Sequence, residues 1–168
     1  MQISLSHEFD ISHDALELAL LSPDLAARIA THFQHMEAVS LKSHAVTAGR
    51  LERVQVFQPN ITVPPFARRV LTREMCAWDE RFTYDLRRHR AEWTLEPHVK
   101  PEWRRLFRAT GSYELVPLGE DRTRRIVEGV MLLNVPVIKA AAERLLVAEL
   151  RRAFDAEARA LRELAELV

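Results

Sequence analysis

The feature that most restricts this chain is its final stretch. From Pro136 to about Leu167, apolar residues recur at steps of three and four: Ile138, Ala142, Leu146, Leu150, Phe154, Ala158, Leu161 and Ala165. Glu143, Arg144, Arg151, Arg152, Glu157, Arg159, Arg162 and Glu163 fill most of the remaining positions. The spacing predicts one long helix with a single apolar stripe, opened by a proline at its first turn. At 1.5 Å per residue it would be roughly 48 Å long. A compact chain of this size has a radius of gyration near ~15 Å, so the helix crosses the whole domain.

What precedes the helix reads mostly as strands. Ile3, Leu5, His7 and Phe9 alternate with Gln2, Ser4, Ser6 and Glu8, the period of a half-buried strand. Two short helices follow. Ser12 is the expected N-cap of one carrying Ala15, Leu16, Ala19 and Leu20. Ser22-Pro23-Asp24 opens a second, burying Leu25, Ala26, Ile29, Ala30 and Phe33. Val39 and Leu41 start the next strand, Ala48-Gly49 marks a turn, and Val54 and Val56 share a face beyond it. Pro59, Pro64 and Pro65 break the pattern, so 58–70 reads as an irregular loop.

Two further strands are expected to face inward through Cys76, Trp78, Glu80, Phe82, Tyr84 and Leu86, and through His89, Ala91, Trp93 and Leu95. After a loop bounded by Pro97 and Pro101, Phe107, Ala109, Gly111, Tyr113 and Leu115 form another inward set. The turn at Pro117–Asp121 leads to a last strand, 124–133. Val127, Met131 and Leu133 lie on one face and Val130 and Leu132 on the other, as if both faces were covered.

The reading is a single α+β domain over 1–168: a curved antiparallel sheet of six to seven strands around a long C-terminal helix, with two short helices after the first strand. A helix about 10 Å wide is too slim to fill a broad curved sheet, so a cavity between the two is expected.

Composition narrows the partners. Twenty-four basic residues balance twenty-four acidic ones, so no electrostatic footprint points to nucleic acid. The lone Cys76 excludes an internal disulfide. No apolar run reaches the ~18 residues of a membrane span, and Met1–Asp10 lacks the pattern of a signal peptide. A soluble, cytoplasmic protein is expected, with no membrane insertion. With four glycines there is no dinucleotide fingerprint, and no phosphate loop, serine elbow or HExxH helix occurs. No cofactor is expected. His32 and His35 have no third ligand in view, so no metal site is expected either.

The chemistry then rests on the inward faces. Glu80 is out of place on an apolar face; burial would raise its pKa and make it an acid or base. The structural alternative is a β-bulge that turns it outward, or a salt bridge to Arg81 or Arg125. His7 and His89 could anchor a ligand or serve as satisfied core groups. Trp78, Phe82, Tyr84, Trp93, Tyr113 and Phe107 either line a pocket or fill it. Trp103 lies in the proline-bounded loop, and Cys76 reads as an inert buried thiol.

Several short motifs, taken in order, give a resemblance. They are His7-Glu8-Phe9-Asp10, Arg68-Arg69, Trp78, Thr110-Gly111-Ser112-Tyr113, Val127-Glu128-Gly129 and Val135-Pro136. Together they resemble the START-like (SRPBCC) superfamily, the helix-grip fold of birch-pollen-allergen and polyketide-cyclase-like proteins. Within it they resemble a bacterial family known only as a domain of unknown function. The resemblance implies binding of a small hydrophobic molecule, lipid-like, sterol-like or polyketide-like, and carries over no catalytic residue. The first reading is a binder using Trp78, Glu80, Phe82, Tyr84, His89, Trp93, Tyr113 and His7. The second is a cyclase- or hydrolase-type enzyme with Glu80 or His89 as general base and Tyr84 donating to the substrate oxygen. The third is an interaction module with a filled core. Val130 and Leu132 depart from the family's polar alternation, which makes a homodimer contact there conceivable.

Overall fold

The computed structural model describes residues 1–34, 36–60, 62, 65, 72, 74–134 and 139–167; of these, the side chains at 75, 139–142 and 145 are not described. Strand β1 (Gln2–Phe9) is followed by helices α1 (His13–Leu20) and α2 (Leu25–His32). Strands β2 (Met36–Thr47), β3 (Arg50–Pro59), β4 (Trp78–Asp85) and β5 (Arg90–Pro97) come next. A short helix α3 (Pro101–Arg104) leads to β6 (Phe107–Gly119), β7 (Arg122–Leu133) and the long helix α4 (Lys139–Ala165).

The seven strands form one sheet in the order β1-β7-β6-β5-β4-β3-β2, every neighbouring pair antiparallel. The first two strands in sequence are therefore its two edges, and α1 and α2 carry the chain from one edge to the other. Both helices pack on α4. That arrangement covers α4 from two sides and widens its buried face: Ala153, Ala156, Ala160 and Leu164 are buried beside Leu150, Phe154, Ala158 and Leu161. The described helix has 27 residues, roughly 40 Å; its predicted start at Pro136 lies outside the described residues.

Local signals account for most ends. Ser12 Oγ accepts from the Ala15 amide at 3.3 Å, capping α1. Ser22 instead caps a leading turn, its Oγ accepting from Asp24 N at 3.2 Å, and α2 begins only at Leu25. Ala30, expected in the core, is exposed. The β2–β3 turn has Ala48 and Gly49 at φ 50° and 79°, the left-handed pair a tight hairpin requires. The Gln58–Val70 loop lies largely outside the described residues.

Two strand faces are decided by the structure. In β3 the inward side chains are Leu51, Arg53, Gln55 and Phe57, while Val54 and Val56 are half-buried on the outer face. In β7 the outer face is not covered: Val130 and Leu132 are 45% and 56% exposed. At the centre Trp93 lies across a trough made by Gly111 and Gly129, which face each other across β6 and β7. A Cβ at either glycine would overlap its indole ring. Among the described residues no helix is long and apolar enough to cross a membrane.

Candidate functional site

The interior between sheet and α4 is not purely apolar. Arg53 and Gln55 enter it from β3, Glu80 from β4, Tyr113 from β6, Arg125 from β7 and Glu157 from α4. Glu157 bridges the two halves of the sheet. Its Oε2 accepts from Arg125 Nη1 at 2.8 Å, and its Oε1 from Arg53 Nη2 at 3.4 Å. Both guanidiniums are anchored further: Arg53 Nη1 donates to the Leu20 carbonyl at 3.0 Å, Arg125 Nη2 to the Phe154 carbonyl at 2.6 Å. Arg53 also stands 4.8 Å over the Phe82 ring, and Arg125 5.4 Å over that of Tyr113.

Glu80 sits beside this clamp, 7% exposed. The ladders on both sides of it are unbroken, so no bulge turns it outward. Arg81 faces the other way and pairs with Glu96 at 2.8 Å, and Arg125 is bonded to Glu157. Among the described residues, then, neither expected partner bridges to Glu80. Burial and the nearby Glu157 charge push its carboxyl up to about 7, with Arg53 and Arg125 pulling the other way. Its cross-strand neighbour is Gln55, whose amide nitrogen and oxygen are both buried without a hydrogen-bond partner. The Nε groups of Arg53 and Arg125 are likewise unpaired. So is the Tyr113 hydroxyl, which burial keeps protonated against the pull of Arg125.

Glu80 and Glu157 border a cavity whose other walls are Ile29, Phe57, Trp78, Leu95, Leu150, Ala153 and Phe154. Its volume is about 10 Å³, the room of one water molecule. Between these walls there is no room for the hollow expected between sheet and α4. Phe82, Tyr84, Trp93 and Tyr113 fill the interior instead: each is fully buried, Phe82 packs against both tyrosines, and Trp93 meets Phe154 edge-on at 5.7 Å. Of the aromatic set, Trp78 reaches the cavity wall, stacked on Phe57 at 5.4 Å.

The remaining expected site residues lie elsewhere. His7 links Arg125 to the helix: its Nδ1 is 3.1 Å from Arg125 Nη2 and its Nε2 2.8 Å from Asp155. Burial and the Arg125 charge lower its pKa, which fits a neutral ring accepting from arginine and donating to aspartate. His89 is not on the inward face of β5. It occupies the β4–β5 turn at φ 52° and is half-exposed, hydrogen-bonded to Glu17 on α1. Tyr84 donates to the same Glu17 oxygen at 2.7 Å. Tyr84 lies four positions from Glu80 along β4, about 13 Å, and both Tyr84 and His89 are engaged by Glu17 on α1 instead. His32 pairs with Glu163, and His35 lies outside the described residues. Cys76 closes a short helical turn before β4, where burial and Glu74 push its thiol up, in keeping with an inert group. Trp103 is half-buried in α3.

Arg53, Gln55 and Glu157 are the interior groups that periodicity left out. The signal was parity. Leu51 and Phe57 are an even number of residues apart, which places 53 and 55 on their face, and Glu157 falls three residues after Phe154, on the helical stripe.

Solved structures share this architecture. The chain superposes on the Zhui aromatase/cyclase of Streptomyces sp. R1128 with a TM-score of 0.66 and 15% identity, over 99% of this chain and 93% of that one. For norcoclaurine synthase of Thalictrum flavum in complex with dopamine and hydroxybenzaldehyde the values are 0.63 and 14%, over 97% and 87%. A protein of Thermus thermophilus gives 0.63 and 15%, over 99% and 98%. At such identities the likeness establishes the helix-grip fold. No match was found among curated proteins. The sequence profile of the family described as "Protein of unknown function (DUF2505)" matches residues 4–164, nearly the whole chain, and the protein belongs to that family.

Proposed function

We propose that the protein binds a small molecule in the interior between sheet and α4, with Glu80 and Gln55 recognising its polar group. The observation that carries this reading is a buried amide without a hydrogen-bond partner, that of Gln55, directly across the ladder from Glu80, the carboxyl that borders the cavity. Buried polar groups are almost always satisfied, and the exceptions point to a further partner or a functional site. A guest offering a hydroxyl or carbonyl would supply the missing bonds, while Phe57, Trp78, Leu95 and Leu150 would hold its apolar part.

A drug-sized pocket occupies roughly 300–1,000 Å³, so binding requires the Leu150–Phe154 face of α4 to move away from β4 and β5. The norcoclaurine synthase structure holds an aromatic aldehyde, and hydroxybenzaldehyde is a suitable first probe. Glu80, with a carboxyl near neutrality, is also the group to act as general base on such a carbonyl compound. Titration followed by heteronuclear NMR tests the reading. Shifts are expected at Gln55, Trp78, Glu80 and Leu150, together with extra mass on protein taken from its own host. Absence of both counts against it. The filled interior favours the interaction module as second reading, and a ligand-free native mass spectrum with a bound protein would support that instead.

A further inference from the structure

At the far end of β4 from Glu80, three side chains converge that the interior site does not use. His13 and Glu17 are one turn apart on α1, so they share a helix face. His89 reaches them from the β4–β5 turn, 72 residues beyond Glu17. One ligand atom from each lies within 4.8 Å of the other two. The His13 and His89 rings meet edge to face at 4.3 Å.

We propose that His13, Glu17 and His89 form a binding site for a divalent first-row metal ion of the zinc class. Two imidazoles and one carboxylate are a donor set zinc accepts, with a remaining position for water. In a tetrahedral shell with 2.0–2.1 Å bonds the donors stand about 3.3 Å apart, so no pair has to close by more than about 1.5 Å.

Three further observations fit a ligating role. The His13 Nε2 atom is buried without a hydrogen-bond partner, while its Nδ1 is 3.4 Å from Asp14, the carboxylate–histidine arrangement that orients metal ligands. The Glu17 carboxylate is held by Tyr84, whose hydroxyl donates to Oε1 at 2.7 Å. His89 keeps a left-handed φ of 52°, disfavoured for a residue with a Cβ, and that backbone aims its ring at α1. Nearly half the His89 side chain is open to solvent, which gives an ion its entry path.

The test uses the full chain, stripped of metal by a chelator and titrated separately with zinc chloride and cobalt chloride. We expect one equivalent of either ion per chain and visible ligand-field bands with cobalt. Zinc should shift the ring ¹⁵N resonances of His13 and His89 but not of His7 or His44. His89→Gly suits the left-handed turn, so its metal-free melting temperature should equal or exceed that of the natural protein, yet its zinc affinity should fall at least about a hundredfold. Glu17→Gln should weaken zinc by about tenfold or more. Uptake by the natural protein of under about a tenth of an equivalent at micromolar zinc would overturn the proposal. So would unshifted His13 and His89 resonances, or zinc binding by His89→Gly as tight as before. The natural protein's resonances decide the question even where a variant fails to fold.

Discussion

Replacing Glu80 by glutamine isolates the cost of a carboxylate in this interior. Glutamine keeps the size and hydrogen-bonding shape but cannot ionise. In the unfolded chain Glu80 titrates near 4.5; in the folded protein burial and Glu157 raise it to about 7. Between those values the folded state holds a proton that the unfolded state has released, so stability from this group is full below the lower value and is lost as pH rises through the upper one. At 1.36 kcal/mol per unit the full loss is roughly 3 kcal/mol. The natural protein should therefore fall behind Glu80→Gln by under about 1 kcal/mol at pH 5 and by about 3 kcal/mol at pH 8. Titrating groups remote from Glu80 are common to both proteins and drop out of the comparison. Urea unfolding at several pH values, with constant m-value, measures the gap. A gap that stays flat from pH 5 to 8, or one that reverses with the variant weakening as pH rises, would refute the reasoning. Glu80 would then be an ionised, stabilising partner of Arg53 or Arg125.

Other substitutions probe the same framework. Glu157→Ala strands two buried guanidiniums and should cost about 3–5 kcal/mol in urea unfolding. Glu157→Gln should in addition lower the Glu80 carboxyl, because a nearby negative charge is gone while both arginines remain; ¹³C NMR titration reads it. Gly129→Ala drives a methyl into the Trp93 ring and to within 2.9 Å of the Thr110 carbonyl. A loss of about 1–3 kcal/mol is expected, with a shift in tryptophan fluorescence. Ser12→Ala removes the α1 cap and should cost about 1 kcal/mol by thermal unfolding.

Much of the fold was legible because it rests on local periodicity. The alternation of Ile3, Leu5, His7 and Phe9, the cap at Ser12, the Ala48-Gly49 turn and the inward set Trp78, Glu80, Phe82 and Tyr84 all stand in the structure as read. Which face is buried was less legible. Val54 and Val56 share a face, but period two alone does not say which face is inner, and in the structure the inner face of β3 carries Arg53 and Gln55. Glu157 looked like surface because it is charged, yet α4 is covered on two sides and buries it.

Pattern along the chain reports which side chains share a face, since period two and period 3.6 are properties of the backbone alone. From that followed the curved sheet, the terminal helix lying across it and the inward carboxylate at Glu80. Pattern cannot report what a face meets. The pairing of Arg53 and Arg125 on one glutamate, the narrowing of the space beside Glu80 and Glu157 to the volume of a single water, and the meeting of His89 with His13 and Glu17 each join residues tens to more than a hundred positions apart. Those encounters depend on strand order and on how α1 and α4 seat against the sheet. They are decided by packing in three dimensions, where a charged group is buried only when the fold brings it a partner.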